Sequence, residues 1–457
     1  MTDQMDWAAV LRCPRCMRGA LSLQRAGWIC ADCSAGYPVL GEIPWLFAEP
    51  QSMLSQWRGR LQLLLQSLER EARILRTELA ASALGARTRA RLEALAAAHE
   101  EHAKHLTQLL APLGLAATAT GYETHLALRT RLPSDQGLTN YYVNVHRDWA
   151  WGQAENEASL ELIRLAAASH EDWGRTLVLG AGAGRLAYDV HMQCAPRLTV
   201  ALDFNPLLLF VARDVTGGAT LPMYEFPIAP RRLADHAVLR SLCAPQPVRA
   251  GFHLVAADAL RPPFAAEAFD TVVTPWLIDI VNIDFPRLAA RVNALLRPGG
   301  AWINFGSLAF AEGERALRLS FEETVEVVTQ TGFSDPTIVE RSIPYMASPA
   351  SRHARLETVV AWCARKQGAP AVMPEVDVLP EWLVTSDRPV PQLEAFKVQA
   401  AATRIHAFLM ALIDGRRSVR DMARMLVEQR LIAPEDAEPA VRKFLTRMYE
   451  DSRRAGR

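Results

Sequence analysis

A glycine-rich turn is the stretch of this sequence best suited to binding a ligand. The apolar run 177–179 ends in Gly180-Ala-Gly182-Ala-Gly184, where missing β-carbons permit a sharp turn and a close approach of ligand to backbone. A second apolar run ends at Asp203, whose carboxylate can accept both hydroxyl groups of a ribose. The G-x-G-x-G spacing differs from the G-x-G-x-x-G turn that seats a pyrophosphate. The pattern therefore predicts a binding site for a nucleotide-type cofactor, but it does not say which cofactor binds there.

The elements that must position this turn follow in regular order. Asp258 comes after the apolar run 252–256, about where an adenine amino group would sit. The runs 269–273 and 301–305 follow, and Leu296-Arg-Pro-Gly-Gly300 precedes the second of them. This succession over about residues 176–366 resembles the class I S-adenosylmethionine-dependent methyltransferases. The resemblance implies an α/β, Rossmann-like, doubly wound fold with a seven-stranded sheet.

Further ordered motifs narrow the resemblance to the carnosine N-methyltransferase family. They are Arg147-Asp-Trp149, the turn Gly180–Ala187 with its G-x-G-x-G-R-L-A pattern, Trp276-Leu-Ile-Asp279, Trp302-Ile-Asn-Phe-Gly306, Leu319-Ser-Phe-Glu-Glu323 and Gly332-Phe333. The resemblance implies S-adenosylmethionine as the cofactor and an N-methyltransferase activity. It implies that Arg147 holds the methionine carboxylate, with Asn144 where members often have glutamine. The other cofactor-binding residues that it implies are Gly180, Gly182, Gly184, Arg185, Asp203 (ribose) and Asp258 (adenine).

The same resemblance places Asp279 and Tyr345 at the methyl acceptor. Only a neutral imidazole is a nucleophile, and a carboxylate that accepts one ring N–H fixes the tautomer and stabilises the cation that forms. Asp279 is predicted to act in this way, and the alternative is an N-cap for the next helix. The family's G-P-L-L-Y-H strand is replaced by Gly306-Ser-Leu-Ala-Phe-Ala311, which lacks the tyrosine and histidine. We therefore expect another imidazole-bearing acceptor, a histidine-containing peptide or histidine-derived metabolite, rather than carnosine.

Four of the seven cysteines form two C-x-x-C pairs that are separated by thirteen residues. Two tight turns that each present two thiolates suit tetrahedral Zn²⁺, and the alternatives are two disulfides or unrelated cysteines. The segment resembles the short zinc ribbons that activate certain methyltransferases. Four thiolates leave no open coordination position, so the zinc is predicted to be structural. The predicted ligands are Cys13, Cys16, Cys30 and Cys33.

Composition limits the function classes. The 457 residues hold 50 basic and 50 acidic side chains, so no net field attracts nucleic acid or an anionic membrane. No uncharged apolar run of 18 residues is present, and MTDQMDW lacks a signal-peptide charge pattern. We expect a cytoplasmic enzyme with no membrane partner. Two other classes stay open, an RNA base methyltransferase that reads RNA with the ribbon and a non-catalytic binding module.

The chain is predicted to have five segments. They are the ribbon 1–48, a helical spacer 49–135, the methyltransferase domain 136–366, a linker 367–400 and a small helical domain 401–457. Three spacer histidines, at 99, 102 and 105, are expected on a solvated helix face, because Glu100 and Glu101 lie beside them. The last segment resembles winged-helix peptide-binding modules, which implies a protein or peptide partner, and a dimerisation or lid domain is the alternative.

Overall fold

The computed structural model describes residues 7–25, 27–81, 84–115, 144–281, 285–310, 317–370, 384 and 389–454. Parts of the predicted spacer (116–135) and linker (371–383 and 385–388) lie outside these residues, as do residues 282–284 and 311–316. The chain divides into two compact units, Met1–Leu379 and Pro380–Arg457.

A nine-stranded sheet forms the centre of the first unit. The strands that carry the predicted doubly wound topology are β6 (Arg175–Leu179), β7 (Leu198–Asp203), β10 (Phe252–Ala257), β11 (Phe269–Pro275), β12 (Leu296–Gly306), β13 (Thr337–Tyr345) and β14 (Arg355–Arg365). Their spatial order is β13-β14-β12-β11-β6-β7-β10, and β14 is antiparallel to both neighbours. This confirms the predicted α/β class. An inserted hairpin pairs β8 (Leu221–Glu225) with β9 (Val238–Leu242).

Parallel strands of this sheet are connected by the helices α4 (Arg185–Gln193), α5 (Pro206–Thr216), α6 (Phe285–Leu295) and α7 (Phe321–Gln330). Helix α3 (Gln153–Ala166) precedes β6. Asn205 caps α5 by accepting from the Leu207 N–H, and Ser320 forms a capping box with Glu323 on α7. A single π-helical turn, Arg147–Trp151, precedes α3.

The N-terminal segment extends the central sheet, which the sequence did not predict. Strand β5 (Ile43–Leu46) pairs in parallel with β10, and β4 (Val39–Leu40) completes the edge. The cysteine-bearing part forms its own antiparallel sheet of β1 (Leu21–Gln24), β2 (Gly27–Cys30) and β3 (Gly36–Tyr37). The ribbon is therefore joined to the central sheet by backbone hydrogen bonds.

Two helices, α1 (Pro50–Ala81) and α2 (Ala86–Leu109), form the predicted spacer hairpin. These two helices share one hydrophobic cluster with β5 and α5, and in it Trp45, Trp57 and Phe210 are almost fully buried. The prediction that the spacer histidines lie on a solvated helix face is wrong for His102, because its side chain is only 2% exposed. Its ring packs against Tyr224 and Phe226 of the inserted hairpin segment, at centroid distances of 6.4 and 5.7 Å.

Within its described residues, the second unit includes the helices α8 (Glu394–Ala411), α9 (Val419–Glu428) and α10 (Pro434–Arg454). Ser418 caps α9 in a capping box with Asp421. The hydrophobic core of the second unit contains Leu409, Leu426 and Val441. Throughout the described part of the chain, none of the helices combines the length and the hydropathy needed to cross a bilayer.

Candidate functional site

A cavity of about 470 Å³ opens at the carboxyl ends of β6, β7, β10 and β11. Its volume falls in the range of small-molecule sites, and in open α/β sheets such sites lie at this edge. Most of the residues predicted to bind the cofactor or the acceptor line this cavity, namely Asn144, Arg147, Gly180, Gly182, Asp203, Asp258 and Tyr345. Gly184, Arg185 and Asp279 are not among the described lining residues.

The glycine turn has left-handed backbone at Gly180, Gly182 and Gly184, and at the first and last of these a side chain would also meet a neighbour. Gly180 has φ +72°, and a Cβ there would lie 2.8 Å from the Leu277 side chain. Gly184 has φ +84°, and its Cβ would lie 2.9 Å from Ala212 on α5. Gly180 therefore permits the close approach of Leu277 to the turn, whereas Gly184 permits the close approach of Ala212 on α5.

Asp203 closes the turn from the neighbouring strand. Its Oδ2 accepts from the Gly182 N–H at 2.7 Å, and its Oδ1 accepts from the Asn205 N–H at 2.8 Å. Burial raises the pKa of this carboxyl to about 6, although these backbone donors oppose the shift. Asp203 thus both shapes the glycine turn and presents an acceptor to the cavity.

Asp258 holds a second turn at the cavity wall. Its Oδ1 accepts from the Leu260 N–H at 2.8 Å, and its carbonyl accepts from the Arg261 N–H at 2.9 Å. Asp258, Ala259 and Leu260 all line the cavity. The carboxylate that the sequence assigned to adenine therefore lies in a turn with fixed hydrogen bonds.

Arg147 lies at the cavity in a buried ion cluster. Its guanidinium donates to Asp148 Oδ1 from Nε at 2.8 Å, and its Nη2 lies 2.7 Å from the same oxygen. Its Nη1 lies 3.5 Å from Glu155 Oε1. Burial raises the pKa of the Glu155 carboxyl, and the neighbouring guanidinium opposes that shift.

Glu155 is a site residue that sequence reasoning missed. Its Oε2 accepts from the Met346 N–H at 2.9 Å, so one side chain contacts both Arg147 and the residue after Tyr345. In the sequence, Glu155 is one of several acidic residues in an amphipathic helix. Nothing in that pattern distinguishes it from a solvent-exposed glutamate.

Part of the cavity wall is aromatic. Trp276 and Tyr345 both line the cavity with ring centroids 5.0 Å apart. Trp276 has φ +50°, a backbone conformation that costs free energy for a side chain of this size and that often occurs at functional sites. The Arg355 guanidinium lies 4.4 Å above the Tyr345 ring. This wall suits a flat or cationic ligand.

Asp279 lies beside this aromatic wall. Its Oδ2 accepts from Ser307 Oγ at 3.0 Å and from the Ala309 N–H at 2.9 Å. Both bonds join it to the loop after β12, whereas the N-cap alternative requires bonds to the helix that follows Asp279. Burial raises the pKa of its carboxyl. Its neighbours Trp276, Leu277 and Ile280 line the cavity.

Arg185 binds protein rather than facing the cavity. Its Nε donates to Asp189 Oδ2 at 2.8 Å, and its Nη1 donates to the Asp148 carbonyl at 2.8 Å. Arg185 therefore supports the π-helical turn that carries Arg147. This geometry does not favour a direct contact between Arg185 and a cofactor.

The four predicted cysteine ligands converge. Their sulfur atoms all lie within 4.8 Å of one another, and the Cys13–Cys33 and Cys16–Cys30 distances are 3.6 and 3.7 Å. These distances are too long for disulfides. Thiolates around tetrahedral Zn²⁺, with Zn–S bonds of about 2.3 Å, lie about 3.8 Å apart.

Backbone donors complete the cysteine site. The N–H groups of Gly19 and Cys33 point at the sulfur atoms of Cys16 and Cys30, each at 3.4 Å. A Cβ on Gly19 would lie 2.3 Å from Cys30 Sγ. The donor set and its spacing therefore fit a closed, structural metal site.

The family comparison covers the cofactor region. Residues 136–368 match the family model described as carnosine N-methyltransferase. The chain is 26% identical over 257 residues to carnosine N-methyltransferase unmet of Drosophila melanogaster, covering 49% of this chain and 53% of that protein. It is 29% identical over 218 residues to the Mus musculus carnosine N-methyltransferase, covering 41% and 52%. The chain thus spans about half the length of these relatives.

Solved structures show only distant similarity. Phosphoethanolamine N-methyltransferase 2 of Haemonchus contortus, solved with S-adenosyl-L-methionine, is 14% identical, with a TM-score of 0.33 and coverage of 50% of this chain and 57% of that chain. A possible histamine N-methyltransferase from Thermotoga maritima is 14% identical, with a TM-score of 0.31 and coverage of 50% and 96%. At these TM-scores, neither similarity bears on function.

Proposed function

The chain belongs to the carnosine N-methyltransferase family, and from this premise we propose that it is an S-adenosylmethionine-dependent N-methyltransferase. The proposed acceptor is an imidazole nitrogen of a histidine-containing peptide or histidine-derived metabolite. The observation that carries the proposal is the cavity that collects Asn144, Arg147, Asp203 and Asp258 beside an aromatic wall.

The cavity divides between cofactor and acceptor. We propose that Asp203 accepts the ribose hydroxyls, Asp258 the adenine amino group, and that Arg147 and Asn144 hold the methionine carboxylate. The bound cofactor supplies an electrophilic methyl group. Methyl transfer is an in-line displacement, so the protein must mainly align the nucleophile and exclude water. Leu277 and the glycine turn would exclude water from the reacting atoms.

Asp279 and Tyr345 are the proposed acceptor residues. The bonds from Ser307 and Ala309 both go to Oδ2 of Asp279, and Oδ1 is the oxygen proposed to accept an imidazole N–H. That bond leaves the lone pair of the other ring nitrogen for attack, and it stabilises the imidazolium that results. The proton then leaves the product imidazolium for solvent.

Purified protein with methyl-labelled S-adenosylmethionine tests this proposal. Carnosine, histidine, histidine-containing peptides and total RNA are offered separately, and the labelled atom is located by mass spectrometry. Label on an imidazole nitrogen of a small acceptor supports the proposal. Label on RNA alone would make the enzyme an RNA methyltransferase, and failure to bind S-adenosylmethionine would leave a non-catalytic module.

We also propose that Cys13, Cys16, Cys30 and Cys33 bind one structural Zn²⁺. Support comes from the sulfur distances and the backbone N–H donors around them. Metal content measured on the purified chain by elemental mass spectrometry should give about one zinc per chain. Cys16→Ser and Cys30→Ser variants should lose it, whereas Cys243→Ser, on an exposed thiol elsewhere, should retain it.

Cofactor affinity should fall at acidic pH. The Asp203 carboxyl has a pKa of about 6, and its protonated form cannot accept two ribose hydroxyls. Below pH 6 the dissociation constant of S-adenosylmethionine should therefore rise, by about tenfold at pH 5. Titration calorimetry between pH 5 and 7 measures this rise, and Asp203→Asn should bind weakly with a flatter profile. A wild-type profile that matches the variant's would contradict the assignment.

A further inference from the structure

The first C-x-x-C turn of the ribbon contacts the cofactor side of the cavity through one arginine. The Arg261 guanidinium donates to the carbonyl groups of Pro14 and Arg15, from Nη2 to Arg15 at 3.0 Å. Pro14 and Arg15 are the two residues between Cys13 and Cys16. Their carbonyl positions are therefore fixed by whatever fixes the two cysteines.

The same arginine ends the turn that lines the cavity. Its backbone N–H donates to the Asp258 carbonyl, and Ala259 and Leu260 between them line the cavity. The Arg291 side chain on α6 donates to the Leu260 carbonyl from the other side. Residues 258–261 thus lie between the cysteine turn and the main body of the fold.

Backbone pairing reinforces this contact. The Arg12 N–H donates to the Pro263 carbonyl at 2.8 Å, and the Ala265 N–H donates to the Val10 carbonyl at 2.8 Å. These bonds pair the chain just before Cys13 with the chain just after Arg261. A displacement of the first cysteine turn must therefore displace the segment that carries Asp258.

We propose that the four-cysteine site sets the affinity for S-adenosylmethionine through Arg261, which positions the Asp258 turn. This inference rests on the proposed function, because S-adenosylmethionine, the ligand whose affinity is concerned, is the proposed cofactor. Four thiolates without a metal repel one another or become protonated, and the two cysteine turns lose their common anchor. The carbonyl groups of Pro14 and Arg15 then no longer hold the guanidinium in one place. The adenine side of the cavity loses its fixed geometry while the glycine turn keeps its own.

A two-by-two comparison tests the coupling. The dissociation constant of S-adenosylmethionine is measured by calorimetry on the full chain, metal-loaded and after chelation under reducing conditions, for wild type and Arg261→Ala. We expect chelation to weaken wild-type binding about tenfold, and Arg261→Ala to weaken it similarly with its metal content unchanged. Chelation of Arg261→Ala should then add less than about threefold, because the two changes break the same connection.

Controls separate this coupling from general damage. Arg18→Ala alters an exposed arginine that follows the same cysteine turn, and it should bind the cofactor like wild type. Arg261→Lys, which retains one donor group, should recover part of the affinity. Circular dichroism reports whether the chelated chain stays folded. If that chain unfolds, the test rests on the cofactor dissociation constants of metal-loaded Arg261→Ala and Arg261→Lys.

Each outcome has one meaning. Three results would overturn the coupling. The effects of chelation and of Arg261→Ala on the dissociation constant could multiply, or the purified wild-type chain could contain no metal. The third is a metal-loaded Arg261→Ala variant that binds S-adenosylmethionine as tightly as wild type. Absence of S-adenosylmethionine binding by the metal-loaded wild-type chain would instead refute the proposed function. The kinetic readout should agree, with an increased KM for the cofactor and a smaller change in the KM of the methyl acceptor.

Discussion

The Asp279→Asn variant should bind S-adenosylmethionine nearly as tightly as wild type, while its turnover falls by about 10²–10⁴-fold. An asparagine is nearly isosteric, and its carbonyl oxygen can still accept from Ser307 and Ala309. It carries no negative charge to stabilise an imidazolium, and its amide can hold the wrong tautomer. Calorimetry with the cofactor and single-turnover methyl transfer to the acceptor found by labelling measure the two effects separately.

Ser307→Ala is the matched control for this prediction. It removes one of the two bonds to Asp279 Oδ2 but keeps the Ala309 N–H and the carboxylate. We expect a loss of less than about tenfold in turnover, from less exact orientation of the carboxylate. If Asp279→Asn turned over at a rate close to wild type, Asp279 would be a structural anchor of the loop after β12. The acceptor would then have to be oriented by other groups, with Tyr345 the first to test.

Local patterns predicted which residues of the glycine turn and of the following strand end would lie at one cavity. A glycine turn after one apolar run and an acid at the end of the next need only short segments of chain, so their geometry follows from the sequence itself. The four cysteines were predictable for the same reason, since each C-x-x-C pair is a turn with its own hydrogen bonds. The structure places Gly180, Gly182, Asp203 and Asp258 at one cavity and the four cysteine sulfur atoms within 4.8 Å of one another, and their roles in binding stay predictions.

Long-range contacts were not predictable from the pattern. The pairing of β5 with β10 joins segments about two hundred residues apart, and no signal in Ile43–Leu46 selects that partner. His102 has glutamates nearby in sequence and looks solvent-exposed, but the inserted hairpin covers it. Glu155 likewise gains its role only when Arg147 and Met346 are brought to it. In each case the tertiary fold, rather than the local period, determines burial.

Arg147→Met should destabilise the folded cofactor unit as well as abolish tight cofactor binding. The substitution removes the cation between Asp148 and Glu155, whose side chains are only 6% exposed. Two buried carboxylates then face each other without a counter-charge, which typically costs about 3–5 kcal/mol. Urea unfolding of the ligand-free chain followed by tryptophan fluorescence measures the loss, because ten of the eleven tryptophans precede residue 380.

The pH dependence distinguishes this mechanism from a simple loss of packing. Without the guanidinium, which opposes the rise in the pKa of Glu155, the folded-state pKa of this carboxyl should rise further above that of the unfolded chain. A carboxyl with a raised folded pKa loses stability as pH rises through that value and regains it as pH falls. The difference in unfolding free energy between Arg147→Met and wild type should therefore shrink from pH 8 to pH 5. Adding Glu155→Gln should restore part of the loss at pH 8, whereas an equal deficit at both pH values would show that the arginine acts through its hydrocarbon packing instead.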